Sequence, residues 1–199
     1  MAFEAEPTIP VPASVRFPIE LEQPSGFAPD DSATWPNVEG RLEYVEGRLL
    51  YLPPCSLAQA AVSLSAVATI AGWLEEHPEF FGGTLEAGMK LGDDTRGADA
   101  AVWRRATLGP IAGNVARVPP ILAVEVEGRD EREPELRAKA EWYLSHRTEV
   151  VWIVLWTTRE VVVVRPEGES RHGTEDRLPQ HPSLPGLEPK VERFFRQLE

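Results

Sequence analysis

The sequence predicts an α/β domain with a mixed, twisted central sheet and flanking helices. Three observations carry that expectation. Apolar residues alternate with polar ones over short segments near 41–52, 85–91 and 122–127, the period of half-buried strands. The run 150–156 is almost continuously apolar, as in a central strand covered on both faces. Two longer segments, after Ser56 and after Pro134, place apolar residues at helical spacing. At 199 residues one domain is expected, with enough length to bury a sizeable core.

Taken in order, residues 1–35 are proline-rich and weakly periodic, and read as an extended N-terminal arm ahead of a single domain over 36–199. Within the arm, Phe17, Ile19 and Leu21 alternate and suit an edge strand; a flexible leader is the alternative. From Arg41 to Leu52 the alternation is centred on Glu46-Gly47, which predicts two strands joined by a tight turn. Ser56 followed by Gln59 forms a capping box, opening a helix that Pro78 stops beyond His77. Leu57, Ala61, Leu64, Ala68 and Ala71 are expected on its buried face, with Trp73, Phe80 and Phe81 closing one end of the core.

Leu85, Ala87, Met89 and Leu91 predict a half-buried strand that turns through 92–95 and pairs antiparallel with a strand carrying Asp99. The glycine- and arginine-containing stretch 103–118 reads as a surface connection. After Pro119-Pro120 comes a strand in which Ala123, Glu125 and Glu127 share a face, setting the two glutamates roughly 7 Å apart. Pro134 suits the first turn of the next helix, whose stripe is Leu136, Ala140, Tyr143 and Leu144, with Lys139 beside it. The consecutive valines 161–164 want another strand, 168–185 reads as loop, and 191–198 as a short closing helix with Phe194 and Phe195.

An acid on one strand, two acids on the next and a lysine on the following helix have a chemical meaning. Hard divalent cations take oxygen ligands, and one or two carboxylates suffice for magnesium that keeps several waters. A lysine beside that ion can stabilise negative charge building on a phosphate. The arrangement suits phosphodiester hydrolysis; strand-edge carboxylates and a solvated helix lysine are the plainer alternative.

The run 44–49, Tyr-Val-Glu-Gly-Arg-Leu, then Pro53-Pro54-Cys55-Ser56, resembles the opening of the Uma family, of the PD-(D/E)xK restriction-endonuclease-like group. Later pieces recur in that family's order: 98–102 around Asp99, 122–126 around Glu125, 136–139 ending in Lys139, Tyr143, and 149–154. The resemblance spans roughly residues 43–195. It implies a restriction-endonuclease-like fold, with Asp99 and Glu125 as ligands of Mg2+ or Mn2+ and Asp99, Glu125 and Lys139 as the catalytic set. The lysine would then stand on the helix instead of its usual strand position. Three positions depart from the pattern: Ala98 replaces the signature proline, Glu127 stands where the general motif has lysine, and Gln59 stands where many relatives carry histidine. Glu127 would bind a second metal or tune the first, and Glu46 is kept in reserve beside Glu43 as an acid able to approach the site.

Composition limits the alternatives. Acids outnumber bases 32 to 20, for a net charge of −12, which argues against a tight nucleic-acid binder, whose affinity comes from lysines and arginines on phosphates. An enzyme that holds DNA transiently needs only a locally basic cleft, and Arg96, Arg104, Arg105, Arg129 and Arg137 flank the candidate residues in sequence. The lone Cys55 excludes a disulfide framework and a cysteine-based zinc site. The four histidines lack metal-binding spacing, and no serine sits in a nucleophile elbow. No apolar run is read as a membrane span and no signal peptide is recognised, so a cytoplasmic protein is expected. The leading reading is a metal-dependent endonuclease acting on DNA. The other is an inactive nuclease-like domain serving as a homodimeric interaction module.

Overall fold

A single nine-stranded sheet runs through the chain and forks at the strand that carries Asp99. The computed structural model describes residues 15–109 and 115–198. Its strands are β1 (Ile19–Leu21), β2 (Arg41–Val45), β3 (Arg48–Leu52), β4 (Phe80–Leu91), β5 (Asp94–Arg104), β6 (Leu122–Val126), β7 (Val150–Leu155), β8 (Glu160–Arg165) and β9 (Gly168–His172). The helices are α1 (Leu57–Leu74), the single turn α2 (Arg105–Leu108) and α3 (Glu133–Ser145). The strands lie in the order β1-β3-β2-β5-β6-β7-β8-β9, with β4 paired to β5 as well. On one edge β5 pairs with β4 along nearly its whole length; on the other it meets β2 at Thr95 and β6 only over Ala100–Val102. Asp99 stands where the two partners part.

Local chemistry explains most of these elements. Glu46 and Gly47 both adopt positive φ, 52° and 80°, the geometry of a two-residue turn whose twist matches a β-hairpin. Gly92, at φ 60°, begins the short turn between β4 and β5. Among the named strands β6 and β7 are the parallel pair, and α3 is the crossover that such a pair requires. All six residues of β7 are buried, as the apolar run predicted. Ser56 accepts the Gln59 N–H at 3.2 Å to start α1, and the Glu135 carboxylate accepts the Arg132 N–H at 3.1 Å to start α3.

Two cores lie on opposite faces of the sheet. Val62, Ala66, Ile70 and Trp73 of α1 pack with Val102, Val124, Trp152, Phe194 and Phe195 on one face. On the other, Leu136, Ala140 and Tyr143 of α3 pack with Met89, Ala123, Val151 and Ile153. The closing segment is two short 3-10 turns, Val191–Phe194 and Arg196–Leu198, seated against α1.

Several expectations are corrected. The buried face of α1 carries Gln59, Val62, Ser65, Ala66, Thr69, Ile70 and Trp73, whereas Leu57 is 87% and Leu64 56% exposed. Ser65 and Thr69 tolerate burial because their hydroxyls donate to the carbonyls of Ala61 and Ser65, at 3.1 and 2.8 Å. Contrary to the expectation of no spanning run, the uncharged α1, at mean hydropathy 1.6, is long and apolar enough to cross a bilayer by length and composition; here it packs as a core helix. Residues 168–172, read as loop, form β9 on the edge of β8. Of the predicted arm, Ile19–Leu21 pairs with Leu49–Tyr51 as the edge strand β1, while residues 1–14 lie outside the described residues. The connection 103–118 contains α2 and a bridge from Ala116 to Met89; its residues 110–114 are likewise outside.

The strand predicted across 85–91 begins at Phe80 and carries a bulge: its register with β5 shifts between Thr84 and Ala87. Glu86 sits in that bulge at φ 60°, a conformation that costs a non-glycine residue roughly 1–3 kcal/mol. Gly97, paired with Gly88, lies against it: a Cβ there would come within 2.9 Å of the Glu86 Cβ and 3.0 Å of its backbone. Glycine at 97 is what lets the bulge close down beside Asp99.

Candidate active site

At the fork, β5 and β6 no longer pair. Continuing their register would set Ala98 against Val126; instead the Val126 N–H donates to Asp99 Oδ2 at 2.7 Å. The Asp99 carboxylate therefore takes over a ladder bond from the backbone, fixed one residue from Glu125. Ser63 Oγ of α1 lies 3.5 Å from the other carboxylate oxygen, and Gln59 Nε2 donates to the Val126 carbonyl at 3.3 Å. The Gln59 side chain thus does not close the predicted capping box. It braces the same peptide that Asp99 holds from the amide side.

Glu125 is buried in the centre of the sheet's α3 face. One helical turn separates Lys139 from Tyr143, so both project from the stripe that packs on the sheet. Tyr143 Oη donates to Glu125 Oε1 at 2.6 Å, and Lys139 Nζ lies 3.5 Å from Glu125 Oε2. Lys139, expected beside the stripe, is in it and is 5% exposed. The three residues predicted from sequence, Asp99, Glu125 and Lys139, thus converge on the fork.

Further charged groups meet there. Glu43 Oε1 lies 3.1 Å from Lys139 Nζ, off the line of a hydrogen bond, and Arg96 approaches Glu43 at 3.9 Å. Glu131, from the loop between β6 and α3, holds Lys139 at 2.6 Å through Oε1 and pairs with Arg41 through Oε2. Arg41 also contacts Glu86 at 3.1 Å. Arg41 and Glu43 reach one place because they are two apart on β2. The period-two pattern of the hairpin contained that signal. Nothing local marks Glu131, on an irregular loop, or Glu86, on a bulge.

Electrostatics separate these acids. Burial pushes Glu125 up to about 8, against the opposing pull of Lys139. Burial pushes Glu86 up to about 7, with Arg41 opposing. It raises Asp99 too, although the Val126 amide and Arg41 counteract it. Glu131 behaves oppositely: burial is outweighed by Lys139 and Arg41, which hold it at about 2. Burial disfavours the Lys139 cation, yet Glu125, Glu43 and Glu131 together keep its pKa well above the usual lysine range.

Glu127 and Glu46 do not join the site. β6 ends at Val126, and the Glu127 carboxylate is saturated by other donors: Arg132 at 2.8 Å on Oε1, and the Thr157 amide and hydroxyl at 3.1 and 2.6 Å on Oε2. Burial would raise its pKa, but these hydrogen bonds lower it. Its work is to clamp the β7–β8 turn. Glu46 is exposed at the hairpin tip and pairs with Arg48 at 3.2 Å. Of the flanking arginines, Arg96 reaches the cluster and Arg129 lines a nearby cleft, whereas Arg104 and Arg105 lie over Phe80 and Phe81 and Arg137 pairs with Glu133 and Glu169.

A cleft of about 410 Å³ opens beside the cluster, walled by Arg41, Gln59, Gly128, Arg129, Asp130 and Glu131 among others. Among the described residues no three acidic, histidine or cysteine side chains form a ready-made metal cage. Asp99 and Glu125 nevertheless fit magnesium in kind and number: two carboxylates on adjacent strands, each with its ionised form disfavoured by burial, a cost that a hard cation relieves.

Comparison with known proteins agrees with this architecture. A crystal structure titled as "a putative nuclease belonging to DUF820", from Anabaena variabilis, is similar with a TM-score of 0.74 at 18% identity, covering 84% of this chain and 96% of that one. At that identity the likeness speaks to the fold, which is restriction-endonuclease-like. No curated protein matches. A family model described as "Uma2: Putative restriction endonuclease" matches residues 29–193, and with most of its length so matched the chain belongs to the Uma2 family.

Proposed function

We propose that this chain is a nuclease that hydrolyses phosphodiester bonds in DNA with the help of Mg2+ or Mn2+. The observation that carries the reading is the convergence at the fork of Asp99, Glu125 and Lys139 from three separate elements. Asp99 and Glu125 would hold the ion, which when bound supplies a Lewis acid and lowers the pKa of an attached water. Held by the Val126 amide through one oxygen, Asp99 has its second oxygen 3.5 Å from Ser63 Oγ. Tyr143 fixes the rotation of the Glu125 carboxylate by donating to one oxygen. Lys139 lies within reach of Glu125 and stabilises negative charge on the phosphate as the bond to the leaving oxygen breaks. Buried side chains need no reorganisation at that moment, which is why such placement accelerates a reaction.

The test combines binding with cleavage. Calorimetric titration of Mn2+ should show binding to the wild type and none to Asp99→Asn. Supercoiled plasmid should be nicked by the wild type with Mn2+ or Mg2+ and left intact by the variant. Absence of cleavage of plasmid, linear duplex and single strands by a metal-binding wild type would overturn the enzymatic reading.

One observation favours the second reading, a nuclease-like module that pairs with another copy. Leu57 and Leu64 are exposed on one side of an uncharged helix. Sedimentation of the wild type against Leu57→Glu/Leu64→Glu distinguishes the cases: a dimer that dissociates in the variant, with no metal binding in either, supports the module.

A further inference from the structure

Glu131 is placed unlike the other acids of the cluster. Glu43, Glu86, Asp99 and Glu125 stand on strands, whereas Glu131 stands on the irregular loop between β6 and α3. It bridges two cations from distant parts of the fold, Oε1 to Lys139 Nζ at 2.6 Å and Oε2 to Arg41 Nη2. Its side chain is 7% exposed, as is that of Lys139. Both Glu131 and Arg41 form part of the cleft wall, so the bridge lies where a molecule entering the cleft meets the cluster.

Given the nuclease reading on which this rests, we infer that Glu131 is an internal stand-in for a substrate phosphate, occupying the place between Arg41 and Lys139, and that Arg41 is a phosphate-binding residue of the site. Carboxylate and phosphodiester are alike in the respect that matters: each offers two oxygens sharing negative charge, to which an arginine fork and a lysine donate in the same geometry. Arg41 has a donor to spare, since its buried Nε has no hydrogen-bond partner among the described residues. A loop carboxylate can withdraw without breaking a strand or helix.

The charge count agrees. With all five acids ionised, as a bound cation favours, Glu43, Glu86, Asp99, Glu125 and Glu131 face Arg41, Arg96 and Lys139, a formal charge of −2. A divalent ion brings this to zero, and exchanging Glu131 for a phosphodiester monoanion leaves it there. Adding the phosphate without displacing Glu131 would leave an excess negative charge in a buried place, which is costly. The exchange also reconciles an acidic protein with a nucleic-acid substrate: cleft cations are masked until substrate replaces the mask.

The test is DNA binding in chelator, where no cleavage occurs. Fluorescence anisotropy with a labelled oligonucleotide duplex should show Glu131→Gln binding about tenfold or more tightly than the wild type. Its salt dependence should be steeper by roughly one to two phosphate contacts, each adding about 0.9 to the log–log slope. Adding Arg41→Met to Glu131→Gln should remove most of that gain. Equal or weaker binding by Glu131→Gln, or a gain that survives Arg41→Met, overturns the inference. Should Glu131→Gln fail to fold, Glu131→Asp keeps the charge and shortens the reach by one methylene. A gain there supports the stand-in, and unchanged or weaker binding overturns it. Failure of the nuclease reading is distinguishable: tighter binding by a protein that never cleaves DNA upholds the phosphate subsite alone, and cleavage without the gain upholds the enzyme alone.

Discussion

The two faces of one sheet are built on opposite terms. Under α1, Trp152, Phe194, Phe195 and Ile70 form an apolar core that excludes water and asks nothing of pH or ions. Under α3 and at the fork, next to a smaller apolar cluster, five carboxylates and three cations are held close together, two of the acids with ionisation pushed towards or past neutrality. The strands are shared, so the contrast comes from side chains and from the fork at Asp99. One face holds the fold together, and the other keeps charge in place at a cost to stability. That division is the pattern expected where activity and stability pull apart.

Changes on each face should therefore separate the two properties. The largest stability effect is expected from Phe194→Ala, which empties a fully buried site and should cost about 3–5 kcal/mol by chemical denaturation, with Mn2+ affinity of the folded protein unchanged. A loss of metal affinity there would mean that the faces are not independent. Lys139→Met should lower the cleavage rate by about 10²–10³-fold. It should also destabilise, because three carboxylates lose their shared cation. Glu125→Gln should invert the Phe194 result: no Mn2+ heat by calorimetry, with thermal stability at pH 8 equal to or above the wild type.

The next contrast is with pH. In chelator, Glu125 titrates near 8 and Glu86 near 7 in the folded chain, against 4.5 ordinarily, so the folded state binds more protons than the unfolded between those values. Stability should fall as pH rises from about 5 to 8, and Glu125→Gln should flatten the fall. Below pH 4.5 the sign reverses, because Glu131 is held at about 2 and loses its ion pairs as it protonates. A Tm that rises steadily from pH 5 to 8 would contradict the burial of uncompensated carboxylates. Smallest of all should be Glu46→Gln, at an exposed turn, within about 0.5 kcal/mol and without effect on metal binding or cleavage.

Legibility in the sequence followed the range of the interactions. Strands β2–β8 and helices α1 and α3 were readable because periodicity and caps are local, and the meeting of Asp99, Glu125 and Lys139 in space because the resemblance preserved their order. The face of α1 was misread: apolar residues lie all round it, and hydroxyls bonded to their own helix let Ser65 and Thr69 point inward. Glu127 was misread because its strand position matched Glu125, while the donors that claim it, Thr157 above all, lie thirty residues on. Arg41 and Glu131 are ninety residues apart, and only the folded chain brings them together.

The amide of Val126 offers a view of the site from the backbone. Its proton is held by a carboxylate in place of the carbonyl a continuing ladder would supply. Whatever changes the charge or orientation of Asp99 should be visible as a change in the resonance frequency and solvent-exchange rate of that one proton. In a nitrogen-15-labelled sample the unmodified protein would thus report occupancy of its own site, peak by peak through a titration, with no dye, no tag and no residue replaced.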